Sequence, residues 1–215
     1  DVDMVVCTPL PQEEVKRRIA AHNERVHLVP SKTPGMNYRV LRYGTDASDS
    51  CSALKLIKVD VLVAEENLCI PSITSDRILH VNGWPLPPLS FLFLLRLQGW
   101  SDHRHAELDH HREKTEVDVT DLSLHLVPYC LASAIAGGRT LWDDAQQYLP
   151  DRFLRLSRAR AAAFVYEHPW AADDWATLGF PATELEIRRP IASPFSLLVE
   201  YETETESEES DISSS

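Results

Sequence analysis

The residues with the clearest chemical potential are three aspartates in two apolar segments. Asp1 and Asp3 belong to DVDMVV at the start of the chain, and Asp60 belongs to KVDVLV at 58–63. Alternate residues of a β-strand project from the same face, about 7 Å apart, so Asp1 and Asp3 are expected to point the same way. Carboxylate oxygens suit Mg²⁺ or Mn²⁺ better than zinc. If the two segments are neighbouring strands, the three aspartates form a site for a divalent cation.

Such a site predicts phosphoryl or nucleotidyl transfer. With two ions about 3.5–4 Å apart, one ion activates the attacking oxygen and the other holds the triphosphate and the leaving group. D-x-D alone is a weak signal, because surface acids often have the same spacing. The strand pattern strengthens it, since both segments alternate in hydrophobicity and Asp60 follows Lys58 on the polar side of its segment.

The elements that must position these aspartates are predominantly strands in the first ~85 residues and helices afterwards. A helix is predicted from Pro11, after the first strand. The chain then has three segments typical of an antiparallel meander and a further short one: 26–30, 37–44, 54–63 and 76–81. The later part contains five segments typical of helices: 88–100, 116–127, 140–149, 151–168 and 172–180. This order predicts an α+β fold and not a doubly wound α/β fold.

Composition narrows the possible functions. The formal net charge is −12, but 200–215 holds seven acidic residues and no basic one, so the remainder carries only −5. This balance disfavours an extensive nucleic-acid binding surface, and the Glu/Ser-rich tail is predicted to be disordered. The four cysteines form no C-x-x-C pair, which favours an intracellular location, cytoplasmic or nuclear. The apolar stretch 85–100 is too short to span a bilayer, so we expect no membrane association.

The pattern of DVDMVV followed 57 residues after Asp3 by the aspartate of KVDVLV resembles the nucleotidyltransferase superfamily, in particular AbiEii-type and related minimal nucleotidyltransferase domains. The resemblance covers about residues 1–125. It implies a small mixed or antiparallel nucleotidyltransferase-type sheet backed by helices, with Asp1, Asp3 and Asp60 as catalytic metal ligands for Mg²⁺ or Mn²⁺. The domains implied are 1–127 (nucleotidyltransferase-like), 128–199 (helical) and 200–215 (disordered acidic tail).

The same resemblance extends to LSFLFLLRLQGWSDHR and REKTEVDVTDL. Arg96 stands where the family commonly has lysine, and Asp118 with Asp121 matches an acidic pair. Arginine cannot transfer protons, yet it can clamp phosphate. The residues assigned to nucleotide binding on this basis are Lys58, Arg96, Asp118 and Asp121.

One family feature is missing: no G-[GS] turn for the nucleotide phosphates precedes Asp1. We therefore expect this chain to be a fragment that is truncated at its N-terminus and inactive by itself. The activity implied is metal-dependent transfer of a nucleoside monophosphate from an NTP to an unknown acceptor, for which RNA and protein hydroxyls are both open. Two alternatives remain: a nonenzymatic interaction protein derived from this fold, and a glycosyltransferase that uses D-x-D to bind a nucleotide-sugar.

Overall fold

A computed structural model describes residues 2–31, 37–45, 55–66 and 68–180. Asp1 and the predicted acidic tail therefore lie outside the described residues. The chain divides into two compact units, 1–73 and 74–215. The domain boundary predicted at residue 127 differs from this division and stays a prediction.

The first unit is built on a four-stranded mixed sheet in the order β1-β4-β3-β2. Its elements are β1 (Val2–Val6), helix α1 (Gln12–His22), β2 (Val26–Pro30), β3 (Arg39–Thr45) and β4 (Lys55–Val63). Strands β2, β3 and β4 form the antiparallel meander that the sequence predicts. Strand β1 pairs with β4 in parallel, and α1, β2 and β3 lie between them in the chain.

One face of this sheet is apolar and carries α1. Val59, Val61 and Val63 alternate along β4 and are buried together with Leu41 of β3 and Val15 of α1. Gln12, at the start of α1, donates from Nε2 to the carbonyl oxygen of Val61 at 2.5 Å. Because side chains alternate between faces, packing these valines against α1 forces the residues between them to the opposite face. That constraint positions Lys58 and Asp60.

The second unit begins with a short hairpin. Strands β5 (Leu79–Val81) and β6 (Trp84–Leu86) pair antiparallel as a separate two-stranded sheet. The turn residues Asn82 and Gly83 have φ values of +52° and +82°, the positive values that a tight two-residue hairpin turn needs. The further short strand predicted at 76–81 is therefore present as β5, and it pairs with β6 because Asn82 and Gly83 fold the chain straight back.

The rest of the described second unit is helical. The helices are α2 (Leu89–Arg104), α3 (Asp109–Arg112), α4 (Thr115–Thr120), α5 (Val127–Gly137), α6 (Leu141–Ala145), α7 (Asp151–Glu167) and α8 (Ala172–Thr177). Their core is rich in aromatic rings, with Trp175 packed 4.7 Å from Phe164 and 5.2 Å from Phe93, centroid to centroid. The α+β fold class predicted from the sequence is thus confirmed.

Gly179, just after the last helix of this core, packs closely against the start of α6. Gly179 has φ of +96°, and a Cβ placed there would lie 2.9 Å from the Cβ atoms of Thr140 and Trp142. The Thr140 side chain caps α6 by accepting from the backbone N–H of Asp143 at 3.0 Å. Position 179 therefore needs glycine both for its conformation and for its space.

Helices α4 and α5 are joined by a π-helical turn, Asp121–Leu126. Pro128 follows this turn, and in a regular α-helix its ring would collide with the carbonyl of Leu124, four residues earlier. A wider turn relieves that collision. The helix predicted over 116–127 consequently continues to Gly137.

The continuous helical run Thr115–Gly137 is long and apolar enough to cross a membrane by length and composition, and 17 % of its most apolar window is buried. A single helix of this kind is weak evidence for a membrane span. The expectation of no membrane association stays a prediction.

Candidate functional site

Asp3 and Asp60 are direct neighbours across two parallel strands. The register pairs Asp3 with Asp60, flanked by the pairs Val2 with Val59 and Met4 with Val61. Residues paired in this way point to the same side of a sheet, and neighbouring strands lie about 4.8 Å apart. The two carboxylates therefore share the sheet face opposite α1. This placement follows from the apolar alternation of both strands, which was visible in the sequence.

Lys58 lies on the same face and holds one of these carboxylates. Its Nζ is 2.5 Å from Oδ2 of Asp60, and the two side chains are 37 % and 38 % exposed. An ion pair that is this exposed contributes only about 0–1 kcal/mol to folding. Lys58 nevertheless places a positive charge beside the two aspartates, which reduces their mutual repulsion.

The residues of this site fit a hard divalent cation by ligand chemistry. Asp3 and Asp60 supply anionic oxygens from adjacent strands, the donor type that Mg²⁺ and Mn²⁺ bind. Within the part of the chain that the structure describes, no group of three or more His, Cys, Asp or Glu side chains is arranged to hold a metal. Asp1, the third predicted ligand, lies outside that part, so the three-aspartate metal site stays a prediction.

A row of basic side chains crosses the same sheet face next to the two aspartates. Arg42 of β3 is the register partner of Lys58, and His27 of β2 is the register partner of Arg42. Sequence reasoning missed Arg42 and His27. The alternation in NYRVLRYG places Arg42 on the sheet face opposite to Leu41 and Tyr43. Only the pairing register shows that Arg42 lies beside Lys58.

The second unit joins Arg96, Asp118 and Asp121, three residues that the sequence assigned to nucleotide binding. Arg96 Nη1 lies 3.0 Å from Oδ1 of Asp118, and Nη2 lies 2.8 Å from Oδ2 of Asp121. The side chain of Asp118 is only 2 % exposed and also accepts from Nδ1 of His103 at 2.5 Å. Arg96 and His103 are seven residues apart on α2, so both face α4.

This network engages both terminal nitrogens of Arg96 with carboxylates. Its geometry is that of an internal ion-pair cluster that ties α2 to the helical run beginning at Thr115. A phosphate would have to share the guanidinium with Asp118 and Asp121. The assignment of these three residues to nucleotide binding therefore stays a prediction.

A cavity of about 170 Å³ lies elsewhere in the second unit, lined in part by Ser90, Cys130, Arg139 and Asp144. Burial raises the pKa of the Cys130 thiol to about 12, so it is protonated at neutral pH and not nucleophilic. The hydroxyl of Ser90 is hydrogen-bonded to Asp144 at 2.5 Å and to Tyr148 at 2.6 Å. Neither contact is a histidine or a lysine, and we assign no chemistry to the cavity.

Comparison with known proteins adds one finding. The structure superposes on the crystal structure of an antigenic nucleotidyltransferase-like protein from Paracoccidioides brasiliensis with a TM-score of 0.50 and 13 % sequence identity. The match covers 84 % of this chain and 74 % of that chain. The fold is nucleotidyltransferase-like. At this identity the match shows the fold alone.

The nucleotidyltransferase-like fold agrees with the superfamily that the sequence resembles, but it gives no support for the AbiEii-type subfamily in particular. No protein-family model matches the chain, and no curated protein matches it either.

Proposed function

We propose that this protein transfers a nucleoside monophosphate from an NTP to an acceptor hydroxyl with Mg²⁺ or Mn²⁺, and that it is an AbiEii-type enzyme. The observation that carries the proposal is the register pair of Asp3 and Asp60 on one face of a nucleotidyltransferase-like sheet. Placing like charges directly opposite each other costs stability in a sheet. A bound cation would offset that cost.

The chain's own residues have distinct parts in this proposal. Asp3 and Asp60, with Asp1 as the third ligand, hold the cation, and Lys58 balances Asp60 in its absence. When bound, the metal supplies charge stabilisation for the phosphates and lowers the pKa of an attacking hydroxyl. Lys58 lies on the same face and can turn from Asp60 to a phosphate oxygen. The nature of the acceptor, RNA or protein, and the intracellular location stay predictions.

Calorimetry tests the metal-dependent nucleotide binding that this function requires, and it does not depend on the catalytic activity of the isolated chain. The chain is titrated with each NTP in the presence of Mg²⁺, Mn²⁺ or EDTA, and the same titrations are made with Asp60→Asn. We expect metal-dependent nucleotide binding that Asp60→Asn abolishes, while Asp76→Asn, which removes an exposed aspartate in the second unit, leaves it unchanged. Metal-dependent binding that survives Asp60→Asn, or that is absent from the unsubstituted chain, would refute the proposal.

One observation favours the alternative of a nonenzymatic interaction protein. The hairpin β5–β6 exposes an apolar face formed by the register pairs Leu79 with Leu86 and Val81 with Trp84, and Trp84 is 73 % exposed. Exposed apolar patches often mark contacts with other molecules. If the calorimetry shows no nucleotide binding, this reading takes precedence.

The glycosyltransferase alternative has no such support. A nucleotide-sugar site of that kind needs a doubly wound parallel sheet, whereas three of the four described strands of the main sheet form an antiparallel meander.

A further inference from the structure

The basic side chains on the sheet form a continuous row, which we call the basic row: His27 on β2, Arg42 on β3 and Lys58 on β4. Each is the register partner of the next, so all three project from the face that also carries Asp3 and Asp60. Three neighbouring strands span about 10 Å. The basic row therefore begins beside the two aspartates and extends across the sheet away from them.

The arrangement of charge in this row is unfavourable for the sheet itself. Arg42 lies directly opposite Lys58, and like charges in that relation destabilise a strand pair. Lys58 is paired with Asp60. Among the described residues, no ion pair or side-chain hydrogen bond involves the side chain of Arg42 or that of His27, although both backbones belong to the sheet. A like-charge pair with no counter-ion for one member among the described residues is a local conflict of the kind that binding sites often contain.

We propose that the basic row binds phosphate oxygens, with Arg42 as its principal contact. Arg42 is partly exposed at the centre of the row, and a guanidinium offers a planar pair of donors that matches two phosphate oxygens. The basic row lies next to Asp3 and Asp60, so a phosphate compound bound to the row would reach the proposed metal site. The identity of that compound rests on the proposed function. The phosphates belong either to the triphosphate of the nucleotide or to the phosphodiester chain of an RNA acceptor.

The test compares Arg42→Gln with Arg17→Gln, a matched control. Arg17 lies on α1, which packs on the other face of the sheet, and its side chain is exposed and paired with Glu14. Both substitutions remove one positive charge from the first unit. Binding of inorganic tripolyphosphate is measured by calorimetry, and binding of a short single-stranded RNA is measured by fluorescence anisotropy, both in EDTA.

We expect Arg42→Gln to weaken at least one probe by about tenfold or more, the effect of losing a charged hydrogen bond. For RNA, a plot of the logarithm of the binding constant against the logarithm of the salt concentration should become less steep by about 0.7, the slope that one phosphate contact contributes. Arg42→Lys should restore part of the binding, and His27→Gln should cause a smaller loss. A loss for tripolyphosphate identifies the nucleotide, whereas a loss for RNA alone identifies the acceptor.

The proposal is overturned if Arg42→Gln and Arg17→Gln weaken both probes equally, or if the unsubstituted chain binds neither probe. Circular dichroism establishes that each variant is folded. If Arg42→Gln does not fold, His27→Gln and Arg42→Lys decide the question. Asp60→Asn separates this proposal from the proposed function: it removes a negative charge beside Lys58 and should maintain or strengthen phosphate binding in EDTA, while it abolishes metal-dependent nucleotide binding.

Discussion

The two carboxylates that share Arg96 should differ strongly in their contribution to stability. Breaking a buried ion pair costs about 3–5 kcal/mol. Asp118 is 2 % exposed, but Arg96 is 40 % exposed and keeps Asp121, so we expect Asp118→Asn to cost about 2–3 kcal/mol. The carboxylate of Asp121 is 29 % exposed, and Asp121→Asn should cost less than about 1 kcal/mol.

Urea unfolding followed by tryptophan fluorescence measures this difference. All five tryptophans lie between positions 84 and 175, within the second unit, so their signal reports on the unit that holds the ion pairs. A loss of 2–3 kcal/mol should lower the urea midpoint by about 1 M or more. Equal midpoints for the two variants would show that burial does not govern the strength of this network.

Three further outcomes are expected. Asp3→Asn should leave folding stability unchanged or raise it by up to about 1 kcal/mol, since it removes repulsion from Asp60, yet abolish metal-dependent nucleotide binding; a loss of stability in thermal melts would contradict this. In the same urea experiment, Gly179→Ala should lower the free energy of unfolding by at least about 2 kcal/mol, because position 179 has a positive φ and close neighbours. Gly99→Ala, inside α2 with open space for a Cβ, should be neutral or raise it by up to about 1 kcal/mol. Burial raises the pKa of Tyr148 to about 12, so the folded state keeps a proton that the unfolded state loses near pH 10, and stability should fall as pH rises from about 10 to 12; Tyr148→Phe should flatten that fall in pH-dependent melts.

Much of the fold follows from local patterns in the sequence. The alternation of Val59, Val61 and Val63 with Lys58 and Asp60 predicts both the strand and the face on which the polar residues lie, because burial of one face fixes the other. The strand ending at Val81 was predicted, but its partner β6 was missed, although Asn82 and Gly83 form a strong local hairpin signal.

The candidate site was less accessible to sequence reasoning, because it depends on register between distant segments. Nothing local to Arg42 indicates that Lys58 lies opposite it, since that pairing is decided by the whole meander. For Arg96 the residues were found from the sequence, but their role was not. The residues were selected by resemblance, and the structure brings them together, but only burial shows that Asp118 is an internal ion-pair partner.

The π turn at Asp121–Leu126 has a consequence for the whole run from Thr115 to Gly137. One added residue rotates everything that follows it by about 100° about the helix axis. The half before the turn aims Asp118 at Arg96, while the half after it aims Val127 and Cys130 into the core. A regular α-helix over the same residues could keep only one of these two orientations. The π turn therefore allows one continuous helical run to make both the ion pair of Asp118 and the core packing of Val127 and Cys130.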